Sequence, residues 1–324
     1  GASSFHSPSQ FTLEGSLATT RESVTDAFTV GSYRLASLLA QVTPGPMAYG
    51  VAKLVGHLAA ASLQSRRSII ERHIRRVRPD YSEAQVRKAT QGAFDSYSRY
   101  YVESFRLPSL SSEVVDATFT LDGFDAITDS LKDGNGAILA LPHLGGWEWA
   151  GRWLCDQGVK TTVVVEALQP PELFEWFVSL RTKLGMNVVP LGPNVAGEVL
   201  KALRNNEVVC LLCDRDLQGG GVVVDFFGEN TTLPAGPVTL SLRTNAPVFP
   251  VAVYFTEAYN GHHAVIHPAM HFERSGKLRE DVRVGTQALA KELEALIWAA
   301  PEQWHLFQPN WPSDPDFVVK SNNA

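Results

Sequence analysis

The stretch from Leu139 to Leu154, LALPHLGGWEWAGRWL, constrains this chain more than any other. The apolar run Gly136 to Pro142 reads as a buried strand, and it stops on a histidine, two glycines, a tryptophan and a glutamate. Such a strand delivers reactive side chains to its own C-terminal end, where α/β sheets place their sites. His143 qualifies as a proton acceptor because an unperturbed imidazole titrates near ~6.5. On a continuous helix, at about 100° per residue, Glu148 would lie far round from it. The two approach each other only if the chain turns between them, and Gly145-Gly146 permits that turn because glycine accepts positive φ. The pattern is H-x4-E on a strand-to-helix corner. A histidine at a strand end is more often structural than catalytic, so the reading needs a second block.

That block is Val208 to Phe255. Val208 to Cys213 is again strand-like and ends in Asp214-Arg215-Asp216. Three adjacent charges are expensive to bury unpaired, so they are either solvated or meet a partner at the strand end. Leu233-Pro-Ala-Gly-Pro237 leads into a helix, and Ala246 to Phe255 reads as a further strand. The glycine run at 219–221 is not a phosphate loop: it lacks the following Lys and Ser/Thr and precedes a strand. No G-x-S-x-G is present, which excludes that serine-hydrolase pattern.

The remaining segments alternate short strands with helices. A strand is expected around Ala117 to Leu121, a helix over Phe124 to Lys132, a strand over Val159 to Val165, a helix over Leu173 to Leu184 carrying Arg181, a strand over Asn187 to Pro190 and a helix over Gly197 to Arg204. This rhythm implies an α/β fold with a mostly parallel central sheet and helices on both faces. With 324 residues, 44% hydrophobic and 19% charged, the chain can bury one large core. A net charge of -6 argues against a general nucleic-acid binder. Three cysteines imply no disulfide framework and a reducing compartment, and the C-x2-C at Cys210 and Cys213 lacks a second ligand pair, so no metal is expected.

Residues 1–22 carry no secretory pattern and read as a flexible leader. Leu35 to Leu63 is strongly apolar but broken by Thr43-Pro-Gly-Pro46, leaving neither half with the ~20 residues a span needs. Two helices, Thr25 to Gln41 and Pro46 to Gln64, fit better, packed together or lying in a membrane interface. Arg66, Arg67, Arg72, Arg75, Arg76, Arg78, Arg87 and Lys88 follow. They read either as a patch facing an anionic membrane or as a solvated face paired internally. Ser82, with Gln85 three residues on, caps a helix over Glu83 to Phe105 whose aromatic residues read as core. The resulting division is 1–22, a helical region 23–106, an α/β core 107–312 and a tail 313–324.

LPHLGGWEWAG, CDRDLQGGGVVVDFFGE, LPAGPVTLSLRTNAPVFPV and PEQWHLFQPNW, in this order, resemble the bacterial lysophospholipid acyltransferase-like superfamily with its lipid A late acyltransferases. They are most similar to the phosphatidylinositol mannoside acyltransferases. The resemblance runs from about Val51 to Trp311 and implies a glycerolipid acyltransferase-like fold. It further implies an O-acyltransferase that moves a palmitoyl-like chain from acyl-CoA to a mannose hydroxyl of a phosphatidylinositol mannoside, without a bound cofactor. The setting implied is the cytoplasmic face of the plasma membrane, with peripheral contact to anionic lipid.

By this resemblance His143 is the general base and Asp214 its carboxylate partner, standing where the mannoside acyltransferases have a glutamate. Aspartate is one methylene shorter, which makes the distance to His143 the quantity to know. Glu148 holds the motif's acidic position and orients either the histidine or the acceptor. Arg181 is the candidate for the oxyanion and Arg215 the runner-up. Either arginine serves alternatively as an ion pair with Glu166 or Asp216, the more expected role for Arg215. Gly236 before its helix suits an anion such as phosphate. Trp147, Trp149, Phe226 and Phe227 are candidates for the acyl groove. Two alternatives stay open: a lipid A-type or other glycolipid acyltransferase drawing on acyl carrier protein, and a non-catalytic lipid-binding protein.

Overall fold

Period-two burial along the apolar runs builds the centre of the protein. In strand β2 (Ala137–Leu141) all five residues are buried. Ile138 and Ala140 enter one core layer, while Ala137, Leu139 and Leu141 enter the layer on the opposite face. A strand covered on both sides has no reason to alternate with polar residues, which is why it reads as an unbroken apolar run. The computed structural model describes residues 29–166 and 169–318, so the leader expected over 1–22 lies outside the described residues.

The strands are β1 (Phe119–Asp122), β2, β3 (Thr161–Val165), β4 (Asn187–Pro190), β5 (Val208–Leu212), β6 (Val222–Phe226), β7 (Glu229–Leu233), β8 (Val248–Phe255) and β9 (His262–Ile266). Seven form one sheet in the order β1-β9-β8-β2-β5-β3-β4, and β6 and β7 form a separate antiparallel hairpin. Every neighbouring pair in the large sheet is parallel except β8 with β9. The mostly parallel sheet expected from the sequence is present. Not foreseen were the antiparallel return of β9 and the 22-residue helix that follows it.

The first helices among the described residues are α1 (29–42), α2 (Gly45–Ser62), α3 (Gln64–Val77) and α4 (Glu83–Arg106), all ahead of the sheet. The chain breaks between α1 and α2 at Thr43-Pro44, where a proline ends one helix and precedes the next. At the start of α4 the capping box is complete: Ser82 Oγ accepts from Gln85 N–H, and Gln85 Oε1 accepts from Ser82 N–H at 2.8 Å. Next come α5 (Ser112–Ala117), α6 (Phe124–Lys132), α7 (Trp147–Asp156), α8 (Pro171–Lys183), α9 (Val195–Arg204), α10 (Gly236–Thr244) and α11 (Leu278–Ala299). α9, α10 and α11 cover the sheet face carrying Ile138, whereas α5, α6 and α7 cover the other.

The basic cluster takes the second of its two readings. Arg67 pairs with Glu71, Arg72 with Asp314, Arg75 with Glu83, Arg76 with Glu229 and Arg78 with Asp80, while Arg66 donates to the Phe307 carbonyl. Six of the eight basic side chains are thus engaged within the protein. The apolar side chains behave oppositely: Leu38, Val42, Met47, Leu54 and Leu58 on α1 and α2 are 59 to 77% exposed. Among the described residues no helix is long and apolar enough to cross a membrane. Beyond Phe307 the chain packs back on α3, where buried Asp314 holds His73 Nε2 at 3.1 Å.

The turn after β2 is set by contact. Gly145 has φ +62°, and a Cβ built on it would lie 2.0 Å from the Val253 carbonyl oxygen. Gly145→Ala is therefore expected to destabilise the protein by at least about 2 kcal/mol through overpacking and the left-handed backbone. Urea unfolding of the variant beside the parent checks this, and equal midpoints would refute it.

Candidate active site

The sheet register brings the two expected catalytic groups together. β2 and β5 run parallel with Leu141 opposite Leu212, and the ladder continues through the Cys213 N–H, which donates to the Leu141 carbonyl at 2.9 Å. Two residues further along each strand stand His143 and Asp214, with His143 Nδ1 2.6 Å from Asp214 Oδ1. The shorter aspartate reaches because both strands end at the same level. In the strand order the chain leaves β2 toward β3, inserts β5 between them, and then crosses β2 to reach β8. β2 and β5 therefore flank the point where the winding reverses, the usual place for a site in an open α/β sheet.

Asp214 is fully buried, which by itself would raise its carboxyl. The charge and hydrogen bond of His143, the nearby Arg215 and the Trp304 indole hold it instead well below the usual carboxylate range. Trp304 Nε1 donates to Asp214 Oδ2 at 2.7 Å. The other side of the imidazole meets Arg215, whose Nη2 lies 3.3 Å from His143 Nε2. A guanidinium only donates and an ionised carboxylate only accepts, so when the ring is neutral one tautomer satisfies both: Nδ1 carries the proton and Nε2 a lone pair. The ion pair expected between Arg215 and Asp216 does not form. Asp216 accepts from the Gly219 and Gly221 N–H groups, both at 2.9 Å, and Arg215 is left with a buried Nε that has no partner.

Glu148 does not touch His143. It sits in the first turn of α7, buried, and its Oε1 accepts from Arg181 Nε at 2.8 Å, from Arg181 Nη2 and from the Tyr100 hydroxyl at 3.1 Å. The H-x4-E glycine turn separates its two polar residues instead of joining them, and the acidic member anchors α8 through Arg181. With Nε and Nη2 both committed to Glu148, Arg181 is less free than Arg215 to meet a new anion.

In front of the His143–Asp214 pair lies a cavity of about 610 Å³, lined by His143, Trp147, Arg181, Arg215, Glu166 and Gly236. Its apolar wall includes Val164, Phe177, Val195, Val199, Leu211 and Leu240. Of the four aromatics expected in an acyl groove only Trp147 lines it, stacked on Tyr100 at 4.2 Å. The other three are corrected by the packing. Trp149 is buried behind the turn, stacked on His262 with its indole donating to the Val115 carbonyl. Phe226 is fully buried against Trp311 and Trp304, and Phe227 packs on Trp304. Beside Trp147 and Phe177, the cavity is lined by Tyr97, Tyr100 and Tyr101 of α4, expected only as core, and His305 accompanies them. Their spacing on α4 was a visible stripe, but periodicity cannot tell a core face from a cavity face.

A family model of bacterial lipid A biosynthesis acyltransferases matches residues 21–313. The chain belongs to this acyltransferase family. It is 40% identical over 227 residues to the phosphatidylinositol mannoside acyltransferase of Mycobacterium tuberculosis, covering 68% of this chain and 70% of that protein. It is also 40% identical over 222 residues to the protein of the same name from Mycolicibacterium smegmatis, covering 68% of this chain and 71% of that one. A lipid A biosynthesis acyltransferase of Haemophilus influenzae matches at 27% over 186 residues, 56% of this chain and 55% of its own.

In this acyltransferase the C-terminal segment closes the site from behind. The His305 N–H donates to the His143 carbonyl at 2.7 Å, beside the Trp304 contact to Asp214. The His305 ring is buried with Nε2 2.8 Å from Ser96 Oγ, and burial, reinforced by the neighbouring His143, pushes its imidazole down to about 3. The unfolded chain takes up that proton near ~6.5, so between these values the unfolded state binds more protons and stability falls as pH is lowered. The slope contributed is at most about 1.4 kcal/mol per pH unit. His305→Gln is expected to flatten the loss of unfolding free energy between pH 6.5 and 5, above the range of the depressed carboxyls. An unchanged slope in urea titrations across that range would count against a neutral buried His305.

Proposed function

We propose that this acyltransferase moves a long acyl chain from acyl-CoA, palmitoyl-CoA being the first donor to try, to a mannose hydroxyl of a phosphatidylinositol mannoside. The observation that carries the reading is the contact of His143 Nδ1 with buried Asp214 at 2.6 Å, on a ring that lines a cavity with an apolar wall. The acceptor hydroxyl attacks the thioester carbonyl while its proton passes to Nε2. Charge then develops on the carbonyl oxygen, and Arg215, displaced from Nε2 by the acceptor hydroxyl, is the donor best placed to meet it. Collapse breaks the carbon–sulfur bond, and the same proton passes from Nε2 to the departing sulfur. Asp214 stabilises the imidazolium in between. No acyl-enzyme is required, so donor and acceptor occupy the site together.

The acyl chain fits the wall formed by Val164, Val195, Val199 and Leu211. Gly236 opens α10 at the cavity edge with nothing within 4 Å of its would-be Cβ, and the free N–H groups of a helix start suit the donor's phosphates. The internal pairing of the arginines of α3 leaves little of the basic face that an acidic carrier protein would need, which supports CoA as donor. The exposed apolar side chains of α1 and α2 support a peripheral seat on the cytoplasmic face of the plasma membrane, held by apolar insertion more than by charge.

The deciving experiment measures thiol release from palmitoyl-CoA with and without a dimannosylated phosphatidylinositol, with mass spectrometry of the lipid. His143→Ala is expected to lower acceptor-dependent release by about 10²- to 10⁴-fold without changing thermal stability. Arg215→Met is expected to lower kcat while leaving the donor KM nearly unchanged. Release independent of acceptor, or an active His143→Ala variant, would overturn the reading. For the membrane seat, Leu54→Glu with Leu58→Glu should reduce co-sedimentation with anionic vesicles at unchanged Tm, and undiminished sedimentation would refute it.

A further inference from the structure

The catalytic cavity shares a wall with a second cavity of about 440 Å³, within the ~300–1,000 Å³ of small-molecule sites. The wall is the turn from Asp216 to Gly221, and Asp216 and Gly220 line both spaces. Three of its six residues are glycines. Gly219 and Gly220 have φ +83° and +77°, and a Cβ on Gly221 would lie 2.6 Å from the Leu233 carbonyl oxygen. The glycine run that is no phosphate loop folds around the Asp216 carboxylate, and Gly219, Gly220 and Gly221 add no side chain of their own to the wall between the two cavities.

The two spaces differ in charge. Arg181, Arg215 and Arg243 line the catalytic cavity, whereas among the described residues no lysine or arginine lines the second one. Its polar side chains are amides, hydroxyls and carboxylates. Asn230 and Thr232 come from β7, Gln308 and Asn310 from the C-terminal segment, and Asp316 and Phe317 complete the lining from the same end of the chain. Asn310 is only 6% exposed and its side-chain nitrogen has no partner, an unmet donor that costs free energy wherever it is buried. A phosphate-bearing ligand would meet carboxylates here without a compensating cation. A neutral ring rich in hydroxyls would find both donors and acceptors, with an aromatic face for its C–H groups.

We infer that the second cavity holds a further sugar ring of the acceptor, one that is not acylated, while the reacting hydroxyl stands at His143. This rests on the glycolipid reading of the acceptor and makes the 216–221 turn the partition between reacting and anchoring sugars. Selectivity for an acceptor with more than one sugar then resides in β7 and the C-terminal segment, away from the chemistry.

Two readouts test it on the full chain: saturation-transfer NMR with soluble α-linked mannobiose, and steady-state kinetics with the dimannosylated lipid. Thr232→Ala combined with Gln308→Ala is expected to weaken mannobiose binding and raise the lipid KM by about tenfold, the size expected from losing two neutral hydrogen bonds, with kcat and the palmitoyl-CoA KM unchanged. Asn230→Ala, at an exposed strand position, should shift both readouts the same way and guards against a folding artefact. Sugar affinity and lipid KM that ignore all three substitutions, or a donor KM that moves in step, overturn the inference. Mannobiose binding that the variants weaken, in a protein that acylates no mannoside, supports the second cavity and sinks the proposed reaction instead.

Discussion

The register between β2 and β5 is the constraint on which the site depends. A parallel pair fixed at Leu141 opposite Leu212 leaves His143 and Asp214 facing each other at the sheet edge without any loop having to place them. A slip of either strand by one residue would turn that strand's side chains to the opposite face and separate the pair. What prevents the slip is burial of β2 on both faces, so the same apolar contacts that stabilise the sheet also set the geometry of the dyad. Core packing and proton chemistry are here one structural fact.

The second requirement is that a buried carboxylate be kept ionised. Desolvation works against the charge on Asp214, and three groups offset it: His143 and Arg215 from the strand ends and Trp304 from the far C-terminal segment. The indole contact explains why that segment crosses behind the sheet instead of trailing away. Trp304 donates to Asp214, His305 donates to the His143 backbone, and Trp311 donates to the Phe226 carbonyl, so the last turns of the chain are tied to both halves of the site and to the β6–β7 hairpin. Asp314, held by His73 and two backbone N–H groups, fastens the same segment to α3.

How much of this was legible depended on whether the signal was local. The apolar runs and their charged ends gave β2 and β5 and put His143 and the Asp214-Arg215-Asp216 triplet at strand ends, because strand burial and strand termination are written in neighbouring residues, whereas the choice of Asp214 as the partner of His143 came from the resemblance to the acyltransferases. The capping box of α4 was legible for the same reason. The partner of Glu148 was not: H-x4-E is local in sequence, but the arginine it binds is 33 residues away on α8. The aromatics show the same limit. Trp147 and Trp149 are two residues apart on one helix, so they point in different directions, and only the placement of α4 beside the first and of α5 and β9 around the second decides which faces a cavity and which the core.

The Glu148–Arg181 pair also shows why an acidic residue belongs in the motif without touching the base. A carboxylate in the first turn of α7 is favoured by the helix start, and an arginine on α8 brought against it fixes the separation of the two helices that frame the cavity. Removing either partner would leave the other charged and buried, which costs far more than the pair contributes. The pair therefore acts as a spacer whose two ends cannot be changed independently. Tyr100, bonded to the same carboxylate oxygen and stacked on Trp147, extends that spacer to α4 and carries it to the ring beside His143. The width of the cavity is thus set by one buried ion pair, while its chemistry is set by the strand register.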